Sequence, residues 1–250
     1  MSNRSFLISR ERFDAVLFDM DGVLTDTASV HASAWKQMFD EYLQARAVRT
    51  DETFVPFDIA TDYKHHVDGK PRYDGVRDFL RARQIALPEG APEDAPRAET
   101  VHGLGNRKDE LVNRVVATDG VRIFAGSVPL LEKLRSAGIK IAVVTSSQNR
   151  KVVIDAAGIG ALFDTAVDGH TIVARGLTGK PAPDMFLEAA RALGVDPARA
   201  VVVEDAISGV EAGARGGFGL VIGVARKGNA DELKAHGAQL VVADLTELMA

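Results

Sequence analysis

Acidic and hydroxyl side chains in this sequence directly follow short apolar runs, and this spacing gathers them together if the runs are strands. The pairs concerned are Asp19 and Asp21, Thr145 and Ser146, and Glu204 and Asp205. Parallel strands end at one edge of a sheet, where open α/β sheets bind their ligands, so we expect these side chains to meet there. Carboxylates at close range repel one another, and a bound cation stabilises such a cluster.

The cation that suits this set best is Mg²⁺, which prefers oxygen ligands and keeps positions for water or a substrate phosphate. Lys180, ahead of a predicted helix, supplies further positive charge, and Thr145 and Ser146 supply hydroxyl and amide donors. Together these groups suit a dianionic phosphoryl group. One of the carboxylates is then expected to attack phosphorus and form an aspartyl phosphate.

Short apolar runs and helical periods alternate over most of the sequence. Strands are predicted at 15–18, 140–145, 200–204, 220–224 and 240–242, where β-branched and aliphatic residues dominate. Helices are predicted at 128–137, 149–157, 184–193, 207–215 and 231–236. This alternation indicates an α/β fold with a doubly wound, Rossmann-like parallel sheet that helices cover on both faces.

The stretch 27–120 interrupts the alternation of strands and helices. It contains helical periods at 31–43, 76–83 and 108–118, a proline-containing polar linker at 88–99, and no convincing buried strand. We therefore expect a helical cap domain over 27–120, inserted into a core domain made of 1–26 plus 121–250. Within the cap, Trp35 and Phe39 share one helix face and are expected to pack in the interior.

Composition and charge exclude several classes of protein. The 250 residues carry 30 Lys plus Arg against 35 Asp plus Glu, a net charge of −5, so we expect no nucleic acid or anionic membrane as partner. Cys is absent, which excludes disulfides, thiolate nucleophiles and cysteine-ligated zinc. No apolar run approaches the roughly 18 residues of a membrane span, and no apolar signal segment precedes the first strand. We expect a cytoplasmic protein with a small-molecule anionic ligand, and a monomer as the default.

The polar segments, taken in order along the chain, resemble the four motifs of the haloacid dehalogenase superfamily of phosphotransferases. The matching residues are FDMDGVLTDT at 18–27, Thr145, Lys180 and the Glu204–Asp205 pair. The resemblance to the first motif implies Asp19 as the nucleophile and Asp21 as the general acid and base. It also implies that the helical insert is the cap of this superfamily.

The same resemblance implies which residues hold the metal and the phosphate. The implied Mg²⁺ ligands are the carboxylates of Asp19, Glu204 and Asp205 and the backbone carbonyl of Asp21. The implied phosphoryl-binding residues are Thr145, Ser146, Asn149 and Lys180. Two positions depart from the family pattern, since Gln148 stands where a lysine can occur and Thr145 where a serine can. We therefore expect the hydrogen bonds to the phosphate to be distributed among these donors differently from the family pattern.

Within the superfamily, the insert is most similar to the cap of the β-phosphoglucomutase family. His31, in the segment VHASAWK, matches a histidine implicated in positioning the acid/base residue. Arg72, in GKPR, matches a cap arginine that holds the distal phosphate of the substrate, and Lys108, in NRK, matches a cap lysine that faces the core. For the segment 68–75 as a whole, a turn that leads into a helix is an equal interpretation.

The cap resemblance implies interconversion of β-D-glucose 1-phosphate and glucose 6-phosphate through β-glucose 1,6-bisphosphate, which also serves as the priming phosphate donor. A Mg²⁺-dependent phosphatase for a small sugar phosphate has the same core residues and differs in admitting water to the aspartyl phosphate. A non-catalytic module that binds a phosphate ligand predicts a missing nucleophile or metal ligand, and none is missing. His31, Arg72 and Lys108 favour the mutase over the phosphatase.

Overall fold

The computed structural model describes residues 7–226 and 228–249, and these residues form two compact units. The first unit, called the core, comprises the described parts of Met1–Asp26 and Val121–Ala250. The second unit, called the cap, is Thr27–Gly120. The expected core domain also contains residues 1–6, 227 and 250, which lie outside the described residues.

A six-stranded parallel sheet forms the centre of the described core. Its strands are β1 Ala15–Phe18, β2 Lys140–Val144, β3 Thr165–Val167, β4 Ala200–Glu204, β5 Leu220–Val224 and β6 Leu240–Val242. They lie side by side in the order β3-β2-β1-β4-β5-β6. Phe18 of β1 is in register with Val143 of β2 and Val203 of β4. The residues that follow these three strands therefore come to the same edge of the sheet.

Helices make up most of the remaining regular structure. In chain order they are α1 Ala28–Thr50, α2 Arg72–Ala82, α3 Val101–Asp119, α4 Ser127–Ser136, α5 Arg150–Ala157, α6 Gly169–Arg175, α7 Asp184–Leu193, α8 Ile207–Arg215 and α9 Ala230–Ala235. The first three belong to the cap, together with a π-helix at Ile59–Val67. Within residues 7–226 and 228–249, no helix is both long enough and apolar enough to cross a membrane.

Both faces of the sheet are buried, as the side chains of β1 show. Val16 and Phe18 belong to one apolar cluster, and Ala15 and Leu17 belong to another. Successive residues of a strand point to opposite faces, so a strand that is apolar throughout needs cover on both sides. The expected doubly wound α/β fold is confirmed.

Two short core elements depart from the sequence-based expectation. β3 has three residues at an edge of the sheet, with Val167 buried and the other two partly exposed. α6 follows it directly and has seven residues, with Gly169 buried. Apolar periodicity is weak in elements that are this short and exposed. The sequence therefore predicts five strands where the described residues form six.

The cap has an aromatic interior of its own. The rings of Trp35 and Phe39 on α1 stack with their centroids 5.4 Å apart, as their shared helix face predicts. The ring centroid of Phe39 lies 4.1 Å from that of Phe79 on α2 and 5.2 Å from that of Phe57, which precedes the π-helix. Aromatic packing thus connects the helices of the cap to one another.

Candidate active site

Three buried charged side chains meet at the edge of the sheet where β1, β2 and β4 end. Asp19 follows β1, Glu204 ends β4, and Lys180 lies between α6 and α7. The Nζ atom of Lys180 donates to Asp19 Oδ1 at 2.6 Å and to Glu204 Oε1 at 2.5 Å. It also donates to the backbone carbonyl of Val144 at 3.2 Å. Residues from the first, third and fourth motifs are thus in direct contact.

Burial controls the charge of this cluster. The exposed fraction of the side chain is 0% for Lys180, 1% for Glu204 and 9% for Asp19. Burial, followed by the negative charge of Glu204, raises the pKa of Asp19 well above its ordinary value, and Lys180 opposes that rise. Burial also acts to lower the pKa of Lys180, but the attraction of the two carboxylates outweighs it and the pKa is raised. Lys180 is therefore an ammonium cation shared by two carboxyl groups.

The acidic side chains at the end of β4 are held closely by backbone atoms. Glu204 Oε2 accepts hydrogen bonds from the N–H groups of Asp205 at 3.1 Å and Ala206 at 3.2 Å. A Cβ atom at Gly209 of α8 would lie 1.9 Å from Glu204 Oε1. At Gly22, where φ is +90°, a Cβ atom would lie 2.0 Å from Asp205 Oδ2. Glycine at these two positions leaves the space that the carboxylates fill.

Three carboxylates at this edge are close enough to share one metal ion. One oxygen from each of Asp19, Glu204 and Asp205 lies within 4.8 Å of the others. Ligands of octahedral Mg²⁺ lie at about 2.1 Å, so opposite oxygens in such a site are about 4 Å apart. Lys180 offsets one of the negative charges, and a divalent cation fits those that remain. The donor set therefore fits the Mg²⁺ that the sequence implies.

The loop 145–149, which follows β2, connects the second motif to Asp21. The Thr145 hydroxyl donates to Asp21 Oδ2 at 3.3 Å and accepts from the Ser147 N–H at 3.1 Å. The Ser147 hydroxyl in turn accepts from the Asn149 N–H at 3.0 Å. Thr145 and Asn149 are buried, whereas Ser146 is partly exposed. The loop thus has a fixed internal geometry, and its first residue donates a hydrogen bond to the expected acid/base residue.

Two of the expected cap residues are in contact within the cap. Lys108 Nζ lies 2.6 Å from His31 Nδ1, and Lys108 is buried over the ring of Trp35 at 5.1 Å. A lysine ammonium has donors only, so His31 Nδ1 is the acceptor and the ring proton is assigned to Nε2. Lys108 therefore orients the His31 ring within the cap.

Arg72, the third expected cap residue, begins α2 and contacts α3. Its NH1 atom lies 2.7 Å from Asp109 Oδ1, and its NH2 atom donates to the Tyr73 hydroxyl at 3.1 Å. That hydroxyl donates to Asn106 Oδ1 at 2.8 Å. The Arg72 side chain is 18% exposed and that of Asp109 is 24% exposed. Arg72 is thus oriented by α3 while a small part of its side chain stays exposed.

Sequence reasoning missed several residues that contact the expected site residues or lie next to those contacts. Ser147, Tyr73 and Asp109 contact Thr145 or Arg72 directly, Asn106 contacts Tyr73, and Arg150, which follows Asn149, pairs with Asp168. Asp168 follows a strand, as the expected site residues do, so recognition of β3 is the signal that finds it. Asp109 directly follows Lys108 on a helix, where a charged residue is ordinary, and no signal in the sequence distinguishes it.

The parallel sheet, with its buried Asp19, Lys180 and Glu204 at the strand ends, defines a class of phosphate-transferring proteins. A sequence model of the haloacid dehalogenase-like hydrolases matches residues 13–217, which contain all four motifs. The chain belongs to the haloacid dehalogenase-like hydrolases.

Individual relatives narrow the likeness further. The chain is 52% identical over 242 residues to a β-phosphoglucomutase of Mycobacterium tuberculosis (strain CDC 1551 / Oshkosh), and the alignment covers 96% of this chain and 92% of that protein. It is 31% identical over 198 residues to a β-phosphoglucomutase of Bacillus subtilis (strain 168), covering 79% and 77%. A crystal structure of β-phosphoglucomutase from Clostridium difficile has a TM-score of 0.74 at 26% identity, covering 94% of this chain and 93% of that one. The expected likeness to the β-phosphoglucomutase family is confirmed.

Proposed function

We propose that this chain interconverts β-D-glucose 1-phosphate and glucose 6-phosphate through β-glucose 1,6-bisphosphate. The observation that carries the proposal is the buried contact of Lys180 with Asp19 and Glu204, in a chain 52% identical over 96% of its length to a β-phosphoglucomutase. Membership of the hydrolase family is compatible with water or a sugar hydroxyl as phosphoryl acceptor. Identity of 52% to a β-phosphoglucomutase favours a sugar hydroxyl as the acceptor.

In the proposed reaction, Asp19 attacks phosphorus and carries the phosphoryl group between the two ends of the sugar. Asp21 takes the proton of the attacking sugar hydroxyl on its carboxylate and returns it to the leaving oxygen in the reverse half-reaction. Its hydrogen bond from the Thr145 hydroxyl, 3.3 Å long, holds that carboxylate in place. Thr145, Ser146, Asn149 and Lys180 bind the oxygens of the phosphoryl group, where their donors meet the charge that develops during transfer.

The metal part of the proposal assigns the carboxylates of Asp19, Glu204 and Asp205 and the backbone carbonyl of Asp21 to Mg²⁺. When bound, Mg²⁺ supplies positive charge that stabilises the phosphoryl oxygens and the acidic cluster. Lys180 contributes a fixed positive charge beside Asp19 whether or not the metal is present, because its pKa is raised by the two carboxylates that outweigh its burial.

The cap part of the proposal concerns the second phosphate of the bisphosphate, which has to be held while the first one reacts. Arg72 binds it, because a guanidinium offers two parallel donors to phosphate oxygens, and Lys108 adds positive charge. His31 positions the acid/base residue Asp21. With residues 27–120 as the cap, its closure excludes water and so protects the aspartyl phosphate from hydrolysis. The proposed enzyme is a cytoplasmic monomer primed by β-glucose 1,6-bisphosphate.

The test is to incubate the protein with Mg²⁺, β-glucose 1-phosphate and a catalytic amount of β-glucose 1,6-bisphosphate. Glucose 6-phosphate and free phosphate are measured together. We expect glucose 6-phosphate to accumulate with little free phosphate. Free phosphate as the main product would identify a phosphatase, and absence of both products would contradict the proposed sugar.

A variant of Arg72 tests the cap separately from the core. Arg72→Ala is expected to abolish turnover of the primed sugar phosphate and to spare hydrolysis of an aryl phosphate, which has no second phosphate for the cap to bind. Arg81→Ala is the matched control, because Arg81 lies on the same helix with 75% of its side chain exposed. Equal loss on both substrates, or no loss on either, would contradict the role given to Arg72.

A further inference from the structure

We propose that Asp168 and Arg150 form a positioning pair that holds the loop 145–149 in the geometry required for phosphoryl transfer. The inference rests on the proposed function, since it concerns the loop that binds the transferring phosphoryl group. Neither residue belongs to the four motifs. Their contribution follows from how the chain after β3 is joined to the chain after β2.

Three consecutive residues, from the last residue of β3 to the first residue of α6, hold the chain that follows β2. Val167 accepts a hydrogen bond at its carbonyl from the Thr145 N–H at 3.0 Å, and the Gly169 N–H donates to the Ser147 carbonyl at 3.0 Å. Between them, Asp168 Oδ2 accepts from Arg150 Nε at 2.8 Å. The attachment points therefore lie at the start and the middle of the loop and at Arg150, which directly follows it.

Asp168 can hold Arg150 because its own position is fixed. Its Oδ1 atom accepts from the N–H groups of His170 at 3.1 Å and Thr171 at 3.0 Å, which caps α6. Its Oδ2 atom remains for Arg150. The side chain of Asp168 is 9% exposed and that of Arg150 is 26% exposed, so the ion pair is largely shielded from solvent. A shielded pair with a rigid anchor restricts the first residue of α5 far more than an exposed pair does.

Steric contact holds the other side of the loop. A Cβ atom at Gly169 would lie 2.8 Å from the Ser146 carbonyl oxygen and 2.7 Å from Gln148 Cγ. The start of α6 therefore packs directly against the loop, and glycine is the residue that allows this approach. Hydrogen bonds, the ion pair and packing all come from the segment 167–169.

Hydrogen bonds within the loop connect the Asp168–Arg150 pair to the reacting groups. Arg150 directly follows Asn149, whose N–H is tied to Ser147, and Ser147 is tied to Thr145, which donates to Asp21. Release of Arg150 from Asp168 is expected to let the loop move, so that its donors and Asp21 lose alignment with the phosphoryl group. Misplacement of catalytic groups by about 1 Å can lower a rate about a hundredfold.

The experiment compares Asp168→Asn with Arg150→Gln. Asparagine keeps the Oδ1 acceptor that caps α6 but turns a donor toward Arg150. Arg150→Gln leaves the hydrogen bonds between Asp168 and the N–H groups of α6 in place. We measure kcat, and the affinities for vanadate and for orthophosphate in the presence of Mg²⁺. Vanadate adopts the five-coordinate geometry of phosphoryl transfer. A positioning defect therefore weakens the binding of vanadate more than the binding of orthophosphate. We expect kcat and vanadate affinity to fall by about tenfold to a hundredfold, and orthophosphate affinity by less than about threefold.

The double variant and the controls separate positioning from other roles. If the two residues act as one pair, the double variant is no worse than either single variant, and Arg150→Lys recovers part of the activity. Lys151→Gln and Asp155→Asn remove an exposed ion pair on the same helix, with side chains 78% and 59% exposed, and are expected to change none of the three measurements.

Several outcomes would overturn the inference. A much larger loss for Arg150→Gln than for Asp168→Asn would mean that Arg150 contacts the phosphoryl group itself. A lower melting temperature with unchanged kcat and vanadate affinity would mean that the pair only stabilises the fold. The vanadate measurement needs no sugar, so it supports or overturns the pair even if the unsubstituted protein makes no glucose 6-phosphate and the proposed function fails.

Discussion

Lys180 in the core has no exposed side-chain surface and contacts two carboxylates, whereas Arg72 in the cap is 18% exposed and contacts a carboxylate that is itself 24% exposed. A buried ion pair is fixed, because either charge left alone would carry a large desolvation cost. A partly exposed pair can exchange its partner, because water and other ions compete for the same donors. The Lys180 pair is therefore fixed in one geometry, whereas the Arg72–Asp109 pair is more open to exchange of its partner, as the proposed binding of a phosphate by Arg72 requires.

The interiors of the two units also differ in how they fix side chains. In the core, apolar strands are enclosed on both faces, and their register brings Asp19 and Glu204 to one edge. In the cap, the rings of Trp35, Phe39 and Phe79 connect α1 to α2. A sheet fixes side chains through backbone hydrogen bonds, whereas helices fix them through side-chain packing.

The largest loss of activity from a substitution in the core is expected at Asp19. Asp19→Asn keeps the size of the side chain and removes the nucleophile, so formation of glucose 6-phosphate should fall by about 10⁴-fold or more. Mass spectrometry after incubation with β-glucose 1,6-bisphosphate should find the phosphorylated chain in the unsubstituted protein and not in the variant. A phosphorylated Asp19→Asn variant would show that another residue is the nucleophile.

A stability measurement compares the two cations directly. Lys180→Met leaves Asp19 and Glu204 buried beside each other without their cation, and we expect the free energy of unfolding to fall by about 3–5 kcal/mol in urea without metal. Arg72→Met, in the partly exposed pair, should lower it by about 1 kcal/mol or less. Added Mg²⁺ should restore part of the loss in Lys180→Met, because a ligand that binds the folded state stabilises it.

The surface residue Lys151 provides the control for this measurement. Its side chain is 78% exposed, so Lys151→Met should change the free energy of unfolding by less than about 0.5 kcal/mol. Equal losses for Lys180→Met and Arg72→Met would contradict the distinction between a fixed core pair and an exchangeable cap pair.

A steric variant tests whether the acidic cluster is the metal site. Alanine at Gly22 would place its Cβ atom 2.0 Å from Asp205 Oδ2, so Gly22→Ala should displace this carboxylate and weaken Mg²⁺ binding by about tenfold to a hundredfold. Gly138→Ala is the matched control, because Gly138 has φ of +70° and nothing within 4 Å of the added atom. Both variants carry the backbone cost of alanine at positive φ, and calorimetric titration with Mg²⁺ separates that cost from the displacement of Asp205. Unchanged Mg²⁺ affinity in Gly22→Ala would contradict Asp205 as a ligand.

The core site was predictable because its signals are local in the sequence. Each of β1, β2 and β4 is a short apolar run followed at once by polar residues, and a parallel sheet converts that local pattern into contacts between residues far apart in the chain. Asp19 and Glu204 are an example, since each stands at the end of an apolar run and an oxygen of one lies within 4.8 Å of an oxygen of the other. β3 lacked such a run, and with it the sequence analysis missed Asp168.

The cap site was less predictable because its contacts depend on tertiary packing. Resemblance identifies Arg72 and Lys108, but the partner of Arg72 is Asp109 on α3, and only the packing of α2 against α3 brings them together. The same holds for the Tyr73 hydroxyl, which joins Arg72 to Asn106. Spacing along one helix is visible in a sequence, whereas the crossing of two helices depends on their side chains together.

The smallest expected effect is at the cap hydroxyl that helps to orient Arg72. Tyr73→Phe removes the acceptor for Arg72 NH2 and the donor to Asn106, while Asp109 still holds NH1. We expect the KM for β-glucose 1-phosphate to rise by about twofold to fivefold, the range set by one net hydrogen bond, with kcat and Mg²⁺ affinity unchanged. Tyr42→Phe is the control, because it removes a tyrosine hydroxyl elsewhere in the cap and should leave KM unchanged. A fall in kcat at constant KM would instead show that Tyr73 acts during phosphoryl transfer, and the cap would then share the fixed geometry that distinguishes the core.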